Sequence, residues 1–324
     1  MDLRLSIIIP FYNVERYIAE CLDSVFDQDI PFSDYEVICV NDGSPDNSRR
    51  IVLDYMKRFP NLRLIEHEKN KKLGAARNTG RTIAKGSYIW NVDSDDKIVP
   101  NCLSGLLKIC EDNNLDVLEF RPLSFNEEGR KKLPSVPTTE SPMLGLDYLE
   151  QLNAYDLSQM SSVWRKIVRR SFLDENGIFS PEINYGEDVP FSFKVLISSQ
   201  RFMSISNICY MYRSNPNALT GANWQPDAYS LYEKCFHNAQ LINEVASSVP
   251  KRYVNVTRSF HEAAGYTLKR YVQFIGQLNP YELKRFRGFC RMFFFKNSFV
   301  FRYFSKKSSI LYLFWLMGVK QQPN

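Results

Sequence analysis

The chain is poor in histidine. Three occur in 324 residues, at positions 67, 237 and 261. They stand far apart and never as HExxH, which argues against a zinc hydrolase and against a serine–histidine relay. No two cysteines have CxxC spacing. The seven present fall irregularly at 21, 39, 102, 110, 209, 235 and 290. That odd, unpatterned set excludes a zinc ribbon or a disulfide framework and fits reduced thiols in a cytosolic setting. A strand pattern begins almost at once after Met1, so no secretory leader is expected. The longest late apolar run, residues 310–319, is ten residues and too short to span a bilayer. No GxGxxG and no GxxxxGK[ST] stands at a strand end, which argues against a dinucleotide site and a P-loop. There is no internal repeat and no low-complexity tract.

The remaining composition is that of an ordinary globular chain, long enough for one large domain and an appendage. The net charge of +5 is unevenly spread. Residues 281–320 hold nine Lys/Arg and one Glu, a net of +8, which leaves about −3 elsewhere. Such asymmetry speaks to partners and not to fold.

Read in order, strand and helix alternate. Strand patterns cover residues 3–10, 35–40, 62–66, 88–92 and 116–120. Helical patterns cover 14–26, 46–59, 74 onward and 100–111, with Ser44 and Asp46 as candidate caps of the second. The class is α/β with a largely parallel sheet. Residues 122–142 carry four prolines and read as a long excursion. A strand or turn running into a short helix follows at 162–173. A loop at 183–190 enters a helix to about 199, and 202–212 alternates as a strand. From 226 onward the pattern is helical.

Four clusters sit where ligands bind in such sheets, at strand ends and helix starts. In residues 10–13 (PFYN) the aromatics either flank a flat base or belong to the core. Asp42, in NDGS, either accepts from a base imide or is a turn residue. Gly74 near a helix start can expose backbone N–H groups to an anion, and Arg77 can grip phosphate. The fourth cluster is Asp93, Ser94, Asp95 and Asp96. Three carboxylates in four residues repel unless a cation joins them. A divalent cation is one solution; a solvated turn with Asp as a helix cap is the other. Later, Glu187 and Asp188 precede a helix, where acidic groups are favoured by the dipole alone.

SIIIPFYN, VNDGSPDNS, GAARNTG and WNVDSDD, in this order, with YGEDVPF and YMYRSNPNALT after them, resemble the family 2 glycosyltransferases of the GT-A fold. The resemblance covers roughly residues 4–220. It implies a Rossmann-like nucleotide-binding sheet flanked by helices over 1–220, and a helical C-terminal region over 221–324. It implies an inverting, metal-dependent transfer of a sugar from a nucleotide donor, a UDP-sugar, to a hydroxyl of a glycan or polyprenyl-linked acceptor. Position by position, Asp42 would contact the base, Pro10 and Tyr12 would line it, and Arg77 would lie near the nucleotide. Asp93 would sit by ribose and metal, Asp95 would ligate Mn²⁺ or Mg²⁺, and Asp96 would support them or cap the next helix. Asp188 would be the general base and Glu187 would bind an acceptor hydroxyl. Arg213 and Thr220 would belong to a loop closing over the diphosphate. Trp164 and Lys166 stand where the family writes W-N-K, and Arg165 departs from it.

Thirteen of the forty residues from 281 to 320 are aromatic, interleaved with the nine basic ones. That composition suits an anionic membrane surface, or a helical appendage packed on the main domain. With the resemblance it places the chain in the cytoplasm, peripheral on the inner face of the plasma membrane. No nucleic-acid recognition motif is present. Two rivals stay open: a nucleotidyltransferase, and a sugar-nucleotide-binding scaffold without catalysis.

Overall fold

The computed structural model describes residues 3–126, 129–133, 136–183, 186–214, 227–232, 237–262 and 278–296. The chain divides into two compact units. The first comprises 1–151, 159–182 and 187–215, the second 152–158, 183–186 and 216–324. The boundary expected at 220 falls outside the described residues.

The first unit begins with β1 (Leu5–Phe11), α1 (Ile18–Phe26), β2 (Tyr35–Asn41), α2 (Ser48–Met56), β3 (Leu62–Glu66), α3 (Leu73–Ile83) and β4 (Tyr88–Asn91). Every residue of β1, β2 and β4 is buried. Strands covered on both faces read as unbroken apolar runs, and such strands pair in parallel. β1 pairs in parallel with β2 and β4, and β2 with β3. α1 buries Ile18, Cys21, Leu22, Val25 and Phe26, a helical stripe. It starts at Ile18 and not at Val14. The backbone amides of Asn13, Val14 and Glu15 donate instead to Ser44, Ser48 and Asp46 side chains, and Asn13 is left-handed at φ 57°.

From residue 97 to residue 213 the chain forms β5 (Lys97–Ile98), α4 (Leu103–Asp112), β6 (Val117–Asn126), β7 (Gly129–Lys132), α5 (Gly145–Glu150), α6 (Ala154–Gln159), β8 (Lys166–Arg169), α7 (Arg170–Glu175), α8 (Asp188–Ser198) and β9 (Phe202–Arg213); residues 154–158 of α6 belong to the second unit and the other elements to the first. The order across the nine-stranded sheet is β3-β2-β1-β4-β8-β6-β9-β5, with β7 on β6. The sheet is therefore mixed. β8 runs antiparallel between β4 and β6, so the expected fifth strand is not the neighbour of the fourth. The expected excursion after Arg121 begins as strand instead. β6 continues to Asn126 and turns back as β7. Pro122 is tolerated because the β6–β9 register shifts on either side of Arg121, where a ladder N–H is dispensable.

That shift bends the sheet. From Glu119 to Arg121 β6 advances two residues while β9 advances from Ser204 to Ile208. Extra residues bend a strand and increase its twist. The bend explains the reach of the turn after β4. Four strand spacings separate β4 from β5, about 19 Å on a flat sheet. The six Cα-to-Cα steps from Asn91 to Lys97 span about 20 Å only when fully extended, yet Asp96 N–H closes a turn on the Asp93 carbonyl at 3.1 Å. The outer ribbon must curl back over the ends of β1 and β4. In the second unit helices include Ala228–Tyr232, Asn238–Ser248 and Pro280–Lys296, residues 254–262 are helical as well, and Ile242, Val256, Phe260 and Phe286 are buried.

A buried charge cluster joins β6 to β8. Glu119 lies opposite Lys166 in the ladder, with Arg165 Nε and Lys166 Nζ each 3.2 Å from its carboxylate. Lys166 Nζ also donates to the carbonyls of Met160 and Ser162. Burial pulls the Lys166 ammonium below its usual range. Removing the single anion leaves two interior cations, whereas removing Lys166 leaves one pair. Glu119→Gln is therefore expected to lower stability in urea unfolding by about 3–5 kcal/mol, and by more than Lys166→Met; the reverse ranking would refute the pairing.

Candidate active site

Small residues bring α3 close to its neighbours. A Cβ on Gly74 would lie 2.1 Å from the Pro181 carbonyl oxygen, and one on Gly80 would lie 2.5 Å from Ile8 Cγ2. The need for glycine at 74 is thus close packing. This approach sets Arg77, 2% exposed, between the ends of two other elements. Its Nη1 donates to Glu187 Oε1 at 2.7 Å and to Asp188 Oδ1 at 2.5 Å. Its Nη2 donates to Asp93 Oδ1 at 2.9 Å. Its Nε finds no acceptor among the described residues. Arg77 is thus a knot tying carboxylates from β4 and α8, and its guanidinium is not held out toward solvent.

Three carboxylates around one guanidinium leave two negative charges uncompensated, and buried anions repel unless neutralised. Burial pushes the Asp93 carboxyl up to about 6; Asp188 and Asp95 add to the rise, and Arg77 opposes it. Burial and the neighbouring Asp188 push Glu187 up to about 8 against the pull of Arg77. Burial also raises Asp95. For Arg77 itself burial works against the charge, but the three carboxylates outweigh it and keep it protonated.

The rest of the acidic turn is fastened to β9. Tyr210 OH donates to Asp96 Oδ2 at 2.7 Å and accepts the Asp93 N–H at 3.1 Å. Asp96 Oδ1 accepts the Arg213 N–H at 2.7 Å. Asp96 is 1% exposed, and burial with the charges of Asp95 and Asp93 raises its carboxyl well above the usual range. It therefore supports the turn and does not cap α4, whose N-cap is Cys102. Arg213 closes β9. Its Nε donates to the Asp95 carbonyl at 2.7 Å and its Nη2 to Glu20 at 2.8 Å, while the guanidinium lies over Tyr17 and Phe125. These protein groups engage its Nε and Nη2 at a strand end. The expected loop, with Thr220, lies outside the described residues. Trp164 stacks on Tyr210 at 4.6 Å, so the W-R-K stretch is a buried layer beneath the turn.

Asp42 follows β2 and is 4% exposed. Its carboxylate accepts the N–H groups of Lys71 and Lys72, both at 2.8 Å, and faces His67 Nδ1 at 2.7 Å. Pro10 is buried within β1 opposite Val40, while Tyr12, just beyond, is 47% exposed. Of that pair only Tyr12 offers a free ring face. His67 and Tyr210 are site residues that sequence reasoning did not single out. Their partners are 25 and 114 residues away, and no local spacing marks them. A separate cleft of about 600 Å³, lined by Lys71, Ala75, Asn78, Thr79, Phe179 and Glu182 among others, opens on the far side of α3. At 100° per residue Ala75, Asn78 and Thr79 face away from Arg77.

Among the described residues no three His, Cys, Asp or Glu side chains form a ready metal cage. The donor set nonetheless fits a hard divalent cation of the kind that takes one or two protein carboxylates and completes its shell with phosphate oxygens and water. Asp93 and Asp95 would supply the oxygens, and the uncompensated negative charge the attraction.

Residues 6–177 match the sequence profile described as glycosyl transferase family 2. The match covers more than half of the chain, and the chain belongs to that family. It is 36% identical over 224 residues to the uncharacterized glycosyltransferase EpsJ of Bacillus subtilis, covering 68% of this chain and 64% of that one. It is 29% identical over 275 residues to the poly(ribitol-phosphate) beta-N-acetylglucosaminyltransferase TarS of Staphylococcus aureus, covering 82% of this chain and 46% of that protein. The chain thus spans less than two thirds of the length of either relative. The crystal structure of S. aureus TarS 1-349 in complex with UDP-GlcNAc superimposes with a TM-score of 0.73, at 23% identity, over 98% of this chain and 88% of that one. The mannosyltransferase PcManGT from Pyrobaculum calidifontis, in complex with GDP-Man and Mn²⁺, superimposes with a TM-score of 0.57 at 17% identity, over 85% and 75%. These likenesses establish the fold, the mixed GT-A sheet flanked by helices.

The raised carboxyls make stability depend on pH. Asp93 and Glu187 ordinarily titrate near 3.8 and 4.5 and are held up to about 6 and about 8 in the fold. Between those limits the folded state binds more protons than the unfolded chain, so stability falls as pH rises. Without divalent cation, the urea-unfolding free energy is expected to drop by about 1 kcal/mol per pH unit between pH 6 and 8. Glu187→Gln should flatten that slope; a slope equal to wild type would clear Glu187 of responsibility.

Proposed function

We propose that the chain transfers a sugar from a UDP-sugar to a hydroxyl of a glycan or lipid-linked acceptor, with inversion at the anomeric carbon, in bacterial surface-polysaccharide assembly. The observation that carries this reading is the convergence of Asp93, Glu187 and Asp188 on Arg77. It brings a candidate donor-phosphate carboxylate and a candidate base pair to one place. The UDP and UDP-GlcNAc complexes of TarS support the choice of donor.

In this reading Asp188 is the general base. Its side chain is 25% exposed against 7% for Glu187, so it can meet an incoming hydroxyl and take its proton as the anomeric carbon is attacked. Glu187, deeper and shifted upward, binds an acceptor hydroxyl. Asp93 and Asp95 would hold Mn²⁺ or Mg²⁺, which when bound offsets the charge growing on the departing diphosphate. Asp42 receives the base and Tyr12 flanks it, with Pro10 packed behind. Arg77 ties the carboxylates together near the nucleotide, and Arg213 holds the metal-binding turn. The basic, aromatic segment 281–324 provides contact with an anionic membrane; of this stretch the structure describes residues 281–296 as helix, and no described helix is long and apolar enough to cross a bilayer.

Nucleotide release from UDP-, GDP- and CMP-sugars, with and without Mn²⁺, tests the class. Metal-dependent release of UDP is expected. Asp188→Asn should lower turnover about 10²–10⁴-fold with UDP affinity retained, and undiminished turnover would favour nucleotidyl transfer. Asp95→Asn should abolish metal-dependent UDP binding; unchanged affinity removes Asp95 from the site. Deleting 281–324 should release the protein from anionic liposomes at moderate salt, and retained binding would refute the membrane contact.

A further inference from the structure

A buried relay stands behind the base-contacting position. His67 follows β3 directly and is 8% exposed. Its backbone N–H donates to the Asn41 carbonyl at 2.9 Å, fixing it beside Asp42. Both ring nitrogens are engaged, Nδ1 with Asp42 Oδ1 at 2.7 Å and Nε2 with Thr79 Oγ1 of α3 at 2.9 Å. The Asp42 carboxylate has about four acceptor directions. Oδ1 takes the Lys71 N–H and faces His67, and Oδ2 takes the Lys72 N–H. Both of those amides can only donate to the carboxylate. The carboxylate is therefore an acceptor throughout, Nδ1 carries the proton, and in the neutral ring Nε2 accepts from the Thr79 hydroxyl.

We propose that His67, braced by Thr79, is a positioning residue that sets the choice of nucleobase. It saturates Asp42 Oδ1 and leaves one acceptor direction on Oδ2, where the ring N–H of a base can donate. The proposal rests on the reading of Asp42 as the base contact. Uracil offers such an N–H at N3 and guanine at N1. Cytosine presents a lone pair at N3, which would oppose the Oδ2 lone pair, and with Oδ1 saturated its neighbouring N4 amine finds no second acceptor beside it. An unpaired buried acceptor is costly enough to separate the two by about tenfold or more. Without His67 the Lys71 and Lys72 amides still hold the carboxylate, but Oδ1 regains an open acceptor direction that the cytosine N4 amine can use, and the discrimination is lost before the binding is.

The test is the ratio of dissociation constants for UDP and CDP, measured by calorimetry on the full chain with Mn²⁺. Wild type is expected to favour UDP by at least about tenfold. His67→Phe should bring the ratio close to one. His67→Asn, whose amide nitrogen replaces Nδ1, should restore most of it. Thr79→Val keeps the side-chain volume and removes the hydroxyl, and should lower the ratio part-way; it carries the test alone if His67→Phe does not fold. Equal weakening of UDP and CDP in His67→Phe or Thr79→Val, with the ratio intact, would overturn the proposal in favour of a purely structural histidine. Asp42→Asn separates the two levels. If its ratio collapses while the His67 variants keep theirs, only the relay fails. If Asp42→Asn keeps the wild-type ratio, the reading of Asp42 itself fails.

Discussion

One cation buried among carboxylates governs this molecule. The Arg77 guanidinium is withdrawn from water, which costs several kcal/mol for an unpaired ion, and it is tolerated because Asp93, Glu187 and Asp188 surround it. The carboxylates are tolerated for the same reason in reverse. The arrangement is mutual but not balanced, since the negative charges outnumber the positive one. The imbalance raises Asp93 and Glu187 and makes the site hospitable to a further cation. Electrostatics alone does not set the geometry. Gly74 and Gly80 let α3 approach closely enough for a single side chain to reach two other elements.

The second constraint is the bend in the β6–β9 ribbon. It brings Tyr210 and Arg213 over the end of β4, where one hydroxyl and one amide hold Asp96 and through it the whole acidic turn. The turn bearing the candidate metal ligands is therefore rigid on one side, at Asp96, and charged on the other, at Asp93. Asp95 lies between, its carbonyl held by Arg213. Such a division suits a site that must keep its shape while its charge state changes on binding.

Much of this was legible in the sequence, and the omissions have physical reasons. The buried parallel strands β1, β2 and β4 announce themselves as apolar runs closed by polar turns. β8, sequence KIVR, was legible as a strand or turn, but nothing local reveals that it inserts antiparallel beside β4. Pro122 masked the continuation of β6, because a proline in a strand is read as a stop unless a register shift is known. β5, two residues long, lies below any periodic signal. At the site, Asp93, Asp95, Glu187 and Asp188 stand out as acidic pairs at element ends. The direction of Arg77 does not. Its spacing after Gly74 is compatible with a phosphate or with an internal ion pair, and only the packed helix decides. The Asp42–His67–Thr79 relay spans three elements and leaves no mark in any one of them.

The insertion of β8 also bears on how the chain is made. The four strands β3-β2-β1-β4 are complete once residue 91 has emerged, yet the free edge of β4, with Ile89 and Trp90, is not covered until β8 pairs Tyr88 with Arg169 and Trp90 with Ile167. At about 5–20 residues per second that leaves an apolar strand edge open on a nascent chain for roughly 4–16 seconds. Open edges of this kind recruit other strands. Newly synthesised chains are thus most exposed to aggregation while residues 92–169 are being made, and a chaperone that shields a parallel half-sheet would serve this protein better than one that acts after release.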